Sequence, residues 1–488
     1  MIDCKKTSIS NDKNASSSTN FEKCEKKNLI LVTIDCLRYD VFVNLLKKGN
    51  LPNLAHIAKK GVLFTNAYAP SSWTPPSISS FFSSTYPLMY EGFLNFSPRT
   101  PFPEILKSHG YLTISCQTNA WLSRYFNFNK GFHVFLDDFS GAYMKERKRL
   151  HFSFPVKNKL RSSSFHKLMG LLYHVYLKFL KRRENPYLTA MELNRKVITL
   201  LNSICRMKKN SPIFLWIHYM DAHEPFNPAN DNLWYRIITY NILQKIEKNL
   251  KIQKEEIDFL KKRYLEAIIN IDRAIGDLLE KLAAMNIDFS NTYFIVTSDH
   301  GQEFFEHGMF GHSMHLYEEL IHVPLIIAGP EIKSRVIIYP TNLIDIPPTI
   351  LSLLGITKKP LNYKGMDLSG LLLSSRKQFP ERVIISEDGI KRRFNAWTHS
   401  SRIIKLNIRY RRIACIYNKW KYILNPDGSE ELYNLSKDPT EQKNIANDEN
   451  DIKRFFHQII SAHIDMEKRT SWLQKIYLKI RKIRKTTS

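Results

Sequence analysis

Thr292-Tyr293-Phe294-Ile295-Val296-Thr297-Ser298-Asp299-His300-Gly301 is the stretch on which the fold of this chain turns. Its first five residues form a short, continuous apolar and β-branched run bounded by turn residues, which predicts a buried strand. Asp299 and His300 leave the carboxyl end of that strand together. In open α/β sheets, that edge is where ligands collect. A carboxylate oxygen beside an imidazole nitrogen is a common pairing for a divalent metal. An adjacent Asp and His is also an ordinary hydrogen-bonded turn, so the remaining strands decide between the two.

Working outward, Asn28 to Ile34 reads as a first buried strand that ends at Asp35. Two acids at the ends of neighbouring strands can approach one ion. Leu51 to Gly61 reads as a short amphipathic helix and Val62 to Ala67 as a strand. Thr74 then precedes Pro75 and Pro76, which suit the first turn of a helix, with Thr74 as its N-cap. A hydroxyl there faces unpaired N–H groups and the positive end of the helix dipole; the plainer reading is an ordinary cap. Pro103 to Gly110 is an expected helix and Tyr111 to Gln117 a strand leading to Asn119. Lys130 to Asp138 reads as a strand and turn, and Leu188 to Met207 as a helix. Ser211 to Tyr219 is a strand carrying His218, with His223 in the loop beyond it. Ile257 to Met285 is a long helix. His307 and His312 lie in a Gly-rich loop, Val323 to Ala328 is a strand and Asp345 to Leu354 a helix. Strands alternating with helices imply a mainly parallel sheet covered on both faces.

After about Ser375 the pattern changes. Val383 to Glu387, Arg412 to Ile416, Trp420 to Leu424 and Glu431 to Leu435 predict a small antiparallel sheet, with Asn425-Pro426-Asp427-Gly428 as a hairpin turn. A helix is expected over Asp451 to Asp465. The organisation expected is thus an arm over residues 1–27, a catalytic domain over 28–375 with a basic insertion at about 140–185, an antiparallel subdomain over 376–465 and a basic amphipathic tail over 466–488.

The chain has 488 residues and is 43% hydrophobic, which describes a globular protein. Its net charge of +26 favours anionic partners, or reflects a generally basic surface. The excess is concentrated: twelve basic residues and one acid lie between Lys145 and Arg183, and eight basic residues and no acid from Lys468 onward. Within the first of these, Phe165 to Leu180 reads as a core helix or an interfacial one. The tail fits three uses: capping the fold, binding a partner, or peripheral contact with anionic lipid. Neither basic run carries the interleaved aromatics or motifs of nucleic-acid binding. Six scattered cysteines without a CxxC fit free thiols in a reducing cytoplasm. With no apolar leader over Met1 to Lys27, the expected location is the cytoplasm, including the inner membrane surface.

Four segments in order make the chain recognisable: Val32-Thr33-Ile34-Asp35-Cys36-Leu37-Arg38; Ser72-Trp73-Thr74-Pro75-Pro76-Ser77; His218 through Phe226; and Thr297-Ser298-Asp299-His300-Gly301 through His312 and Pro324. From about Asn28 to Ala446 the chain resembles the sulfatase family of the alkaline phosphatase superfamily. The resemblance implies an alkaline phosphatase-like α/β fold. It implies one divalent metal ion (Ca, Mg, Mn or Zn) held by Asp35, Asp299 and His300, with Thr74 as both nucleophile and fourth contact. It places His223 and His312 on the ester oxygens or the leaving group, and Asn119 and His218 around the substrate, with His307 and His218 in supporting positions.

Two departures stand out. Formylglycine sulfatases need Cys or Ser followed by X-Pro-Ser-Arg, whereas this chain has Thr74-Pro75-Pro76-Ser77-Ile78. Cys36 also stands where many relatives carry a second acid. Such a site resembles phosphodiesterase, phosphonate hydrolase and phospho-alcohol transferase relatives. The expected mechanism is attack by the Thr74 alkoxide, with the metal, His312 and the N–H groups of the helix opening at Pro76 holding the developing charge. Three functions follow: a hydrolase or transferase of phosphate esters, glycan- or lipid-linked ones included; a strict sulfate-ester hydrolase; or an inactive homologue that binds acidic glycan.

Overall fold

The structure, a computed structural model, describes residues 26–90, 99–137, 187–207, 211–226, 232–312, 315–373, 379–389, 394–397, 403–406 and 411–486. The helix expected over Phe165 to Leu180, and most of the N-terminal arm, lie outside these residues. No helix among the described residues is long and apolar enough to cross a membrane.

The strands in chain order are β1 (Asn28–Ile34), β2 (Gly61–Tyr68), β3 (Leu112–Gln117), β4 (Val134–Leu136), β5 (Ile213–Tyr219), β6 (Thr292–Ser298), β7 (Glu303–Phe304), β8 (Phe310–Gly311), β9 (His322–Ala328), β10 (Arg335–Ile337) and β11 (Thr341–Asn342). Among the described residues the central sheet runs β10-β2-β9-β6-β1-β5-β3-β4, with β11 beside β2. It is parallel except for β9, which runs antiparallel to both β6 and β2. Between β6 and β9 the described residues form the β7–β8 ribbon and the short helix Glu318–Ile321, and β9 returns beside β6 in the opposite direction.

Alternation along each strand explains why these segments read as unbroken apolar runs. Ile30, Val32 and Ile34 of β1, with Leu215, Ile217, Phe294 and Val296, pack against the helices Ala190–Met207 and Lys254–Ala283. Leu29, Leu31, Phe214, Trp216, Tyr293 and Ile295 point the other way, toward Ile78, Phe81 and Phe82 of the helix Thr74–Ser83 and Phe102 of the helix Phe102–Ser108. Each such fully buried side chain contributes roughly 1.5–3 kcal/mol, so both faces are held strongly. The same alternation carries past the apolar residues. Asp35, Asn119, His218 and Asp299 share the phase of Leu31, Ser115, Trp216 and Ile295, so they continue the face that the helix Thr74–Ser83 covers.

The C-terminal sheet contains β12 (Ile384–Gly389), β15 (Arg411–Tyr417), β16 (Trp420–Leu424) and β17 (Glu430–Asn434), in that spatial order and antiparallel throughout. The intervening β13 (Phe394–Trp397) and β14 (Ile403–Leu406) form a separate ribbon. The hairpin turn closes with Asn425 N–H on Ser429 O at 2.9 Å, and Gly428 supplies its positive φ of 88°. Two helices differ from expectation. Leu233–Glu247 is capped by Asn232, which accepts from Tyr235 N, but its apolar residues surround the helix and show no clear stripe. The terminal helix is continuous over Asn450–Thr486 because neither Gly nor Pro interrupts it. The helix expected over Asp451 to Asp465 thus runs on into the residues of the expected tail.

The small sheet is fastened to the catalytic layers by buried charge. Glu387 of β12 accepts from Leu88 N at 3.1 Å and pairs with Arg411 at 2.7 Å and His463 at 2.8 Å. Burial alone would raise its pKa, but the charges and hydrogen bonds of His463 and Arg411 outweigh burial and hold it down to about 2. A depressed carboxylate contributes stability above its unfolded pKa of about 4.3 and loses it as pH falls toward the folded value. The urea midpoint of the protein should therefore exceed that of Glu387→Gln most clearly above pH 5. The gap should narrow steadily between pH 4 and pH 2, and a gap independent of pH would contradict this pairing.

Candidate active site

The parallel neighbours β6, β1, β5 and β3 end at one edge, and each delivers a polar residue there. Asp35 continues β1, its N–H bonding Tyr219 O at 2.9 Å. Asp299 and His300 follow β6, and His218 ends β5 opposite Gln117 of β3. Gly301 fits against the helix Glu318–Ile321, where a Cβ would lie 1.9 Å from Glu319 O. Ser298 Oγ lies 2.6 Å from the carbonyl oxygens of both Ile34 and His300 and accepts from Leu37 N at 2.9 Å, tying the two turns together.

Asp35 is the hub. Its Oδ2 accepts from the Thr74 hydroxyl at 3.2 Å and Asn119 Nδ2 at 3.2 Å, and lies 3.0 Å from His218 Nε2. Its Oδ1 accepts from the Cys36 thiol at 3.0 Å. His218 is fully buried behind it, with Nδ1 2.7 Å from the Thr33 hydroxyl, which in turn accepts from Trp216 Nε1. Asn119 spans to Trp121 N at 2.9 Å. The expected residues Asp35, Thr74, Asn119, His218, Asp299 and His300 are therefore brought together, with His218 and Asn119 both orienting Asp35.

Thr74 is the first residue of its helix, and the extended Trp73 is the cap. Its Oγ1 stands 3.1 Å from His300 Nε2. Ser77, one turn on and on the same helix face, donates to Asp299 O at 2.6 Å and locks the helix to the end of β6. The expectation that backbone N–H groups at this helix opening hold developing charge is corrected here. Pro75 and Pro76 have no N–H, and Ser77 N is bonded to Trp73 O at 3.2 Å.

His223 and His312 complete the wall. Their rings lie 5.0 Å apart, and His312 stacks on His300 at 4.6 Å. Burial and the charge of His300 push His312 down to about 3. His300 is also lowered, first by burial. Burial opposes charge on His223, but Glu224 and Asp35 outweigh it and raise its pKa. Glu224 also accepts from Gln302 Nε2 at 3.3 Å, and Gln302 Oε1 lies 3.3 Å from His312 Nδ1. Neither Glu224 nor Gln302 was marked out by the sequence; both follow a motif residue by one or two positions. His307 lies apart from this cluster. It pairs with Glu319 at 2.7 Å and stacks on Tyr317 at 3.6 Å, where the loop meets the C-terminal segment at Glu441 O.

The donor set fits a divalent cation. Neighbouring ligands of one ion, each roughly 2.1 Å from it, sit about 3.0–3.4 Å apart. The edges here are Thr74–Asp35 at 3.2 Å, Thr74–His300 at 3.1 Å, and His300 Nε2–Asp299 Oδ2 at 3.4 Å. Asp299 Oδ2 is buried and makes no hydrogen bond of good geometry. Burial and then the charge of Asp35 push Asp299 upward, while the imidazoles keep Asp35 low despite its own burial. A cation between the two carboxylates relieves that conflict.

The Sulfatase family profile matches residues 27–356. The chain belongs to the sulfatase family. An arylsulfatase K of Xenopus laevis is 24% identical over 445 residues, spanning 86% of this chain and 79% of that protein. A phosphonate monoester hydrolase of Agrobacterium radiobacter has the same fold, with a TM-score of 0.67 at 18% identity, covering 91% of this chain and 96% of that one. So does a protein solved with its substrate D-glucosamine-2-N,6-O-disulfate, with a TM-score of 0.65, 18% identity, and 91% and 99% coverage. The alkaline phosphatase-like fold expected from the sequence, with its small antiparallel sheet, is the fold observed.

Proposed function

We propose that this sulfatase-family chain is a metal-dependent ester hydrolase that uses Thr74 as its nucleophile on a singly charged ester, a sulfate monoester first. The observation that carries this reading is the Thr74 hydroxyl, 3% exposed, held between Asp35 Oδ2 and His300 Nε2 beside Asp299 Oδ2, which lies 3.4 Å from the same His300 Nε2. Asp35, Asp299, His300 and Thr74 would hold a divalent ion, which when bound lowers the pKa of the hydroxyl and offsets charge on the ester.

Asn119 and His218 hold Asp35 in place, and Ser77 holds the helix against Asp299. Thr74 Oγ1, its proton given up to solvent, attacks the central atom in line with the leaving alcohol, forming the Thr74 ester as the bond to that alcohol breaks. His223, whose pKa Glu224 and Asp35 raise against burial, gives a proton to the leaving oxygen through Nε2, because Nδ1 is committed to Glu224 O at 2.8 Å. His312, neutral, donates a hydrogen bond to the ester oxygens. Thr cannot be converted to formylglycine, so the group on Thr74 is released by direct attack of water at the same central atom, restoring the hydroxyl.

The choice of a singly charged ester rests on charge. Asp35 and Asp299 offset the two charges of a divalent ion, while His300 and His312 are pushed toward neutrality. His223 is the residue held toward the cationic form. A phosphate monoester dianion would meet too little positive charge. A phosphodiester or phosphonate monoester is the second reading, favoured by the unmodified Thr74. In a panel of aryl sulfate, phosphodiester, phosphonate monoester and phosphate monoester with Ca2+, Mg2+, Mn2+ and Zn2+, aryl sulfate or the singly charged phosphorus esters should exceed the phosphate monoester in kcat/KM by roughly tenfold or more. A preference for the phosphate monoester would overturn the charge argument.

A further inference from the structure

We propose that the Cys36 thiol is a ligand of this metal centre and makes it a site for thiophilic divalent ions such as Zn2+ and Co2+. The inference rests on the metal centre above and is independent of which ester is cleaved.

Cys36 follows Asp35 in the turn that leaves β1, and it is fully buried. Its φ is 63°, a conformation that costs a non-glycine residue free energy. The turn is pinned on three sides: Tyr264 donates to Cys36 O at 2.7 Å, Arg38 N donates to Tyr264 at 3.0 Å, and Leu37 N donates to Ser298. The constraint aims Sγ into the site. Sγ is 3.0 Å from Asp35 Oδ1, the second oxygen of the carboxylate whose Oδ2 meets Thr74; 3.9 Å from His300 Nδ1, which is held by Gly301 O at 2.9 Å and leaves Nε2 for the ion; and 3.8 Å from His312 Nδ1.

It belongs to two groups whose ligand atoms all lie within 4.8 Å of one another, one with Asp35 and His300, the other with His223 and His312. A sulfur and a carboxylate oxygen bound to one ion at roughly 2.3 and 2.1 Å, at about a right angle, would sit close to 3.1 Å apart. The other buried cysteines described behave differently. Cys116 and Cys415 sit inside apolar clusters, whereas Cys36 is part of none. Asp299 Oδ2, buried and without a hydrogen bond, is the independent sign that the centre takes a cation.

The chemistry separates ion classes. A hard ion, satisfied by oxygen, leaves the thiol protonated and donating to Asp35. With a thiophilic ion the S–H bond breaks, a sulfur–metal bond forms and the proton passes to solvent.

Titrating the metal-free full-length protein with Co2+ tests this. A near-ultraviolet sulfur-to-cobalt charge-transfer band should grow and saturate at one ion per chain. Cys36→Ser should bind one Co2+ without the band. Cys36→Asp, a residue type that tolerates positive φ, should swing the ratio of Zn2+ to Mn2+ affinity by about tenfold or more toward Mn2+. One bound Co2+ with no band in the wild type, or a band that persists in Cys36→Ser, overturns the proposal and leaves the metal centre standing. No stoichiometric ion in the wild type overturns both. The wild-type spectrum decides the matter even where a variant does not fold.

Discussion

Thr74→Ala should reduce kcat by roughly three orders of magnitude or more, the scale seen when a nucleophile acting as part of a unit is removed. The expected loss is chemical. Thr74 opens its helix at a position whose N–H needs no intrahelical partner, and the residue that caps the helix is Trp73. Ser77, which holds the helix to Asp299 O, is untouched. The variant should therefore melt close to the wild type and keep its bound ion through Asp35, Asp299 and His300, with weaker affinity. Thr74→Ser retains the hydroxyl and should retain a measurable fraction of turnover. Steady-state kinetics on the best ester of the panel, with melting curves and metal analysis alongside, separate these effects. Wild-type turnover by a metal-loaded Thr74→Ala protein would remove Thr74 from the mechanism.

Asp299→Asn should abolish stoichiometric metal binding and turnover together. It is a cleaner probe than any change at Asp35. Asp35 accepts from Thr74, Asn119 and Cys36 and pairs with His218, so its removal disturbs the whole cluster. Asp299 Oδ2 makes no hydrogen bond of good geometry, only the 3.4 Å approach of His300 Nε2, and the substitution preserves size while deleting charge. The metal-free variant should thus be about as stable as the metal-free wild type. An ion that binds only the folded state raises the melting temperature by mass action. Added metal should raise that of the wild type and leave the variant unchanged. Elemental analysis showing one ion per chain in purified Asp299→Asn would refute the assignment.

The apolar runs Leu29–Ile34, Ile213–Ile217 and Tyr293–Val296 were legible because a strand covered on both faces needs no polar alternation. The acids and imidazoles at their ends were legible because each breaks an apolar run abruptly. Their common face was also implicit in the numbering, since Asp35, His218 and Asp299 each keep the phase of an inward residue two or four positions earlier. Less was legible elsewhere. The reversed direction of β9 lies in its pairing with β6 and β2, which no local pattern records. The helix Leu233–Glu247 shows no single apolar stripe. The proline pair after Thr74 reads equally as a helix opening and as the loss of the N–H donors that opening would supply.

By itself, then, the sequence determined the layered α/β fold, the strand ends that carry chemistry and the residue types found there. Local period, turn chemistry and motif spacing are properties of neighbouring residues. Only the tertiary structure decided that Asp35 is the shared partner of four side chains, that His307 stands outside the cluster, that Glu224 and Gln302 sit against the imidazole wall, and that the Cys36 sulfur lies on Asp35 Oδ1. Most of those outcomes depend on contacts between residues far apart in the chain, up to 276 positions for Cys36 and His312, which sheet order and backbone constraint create and no local pattern records.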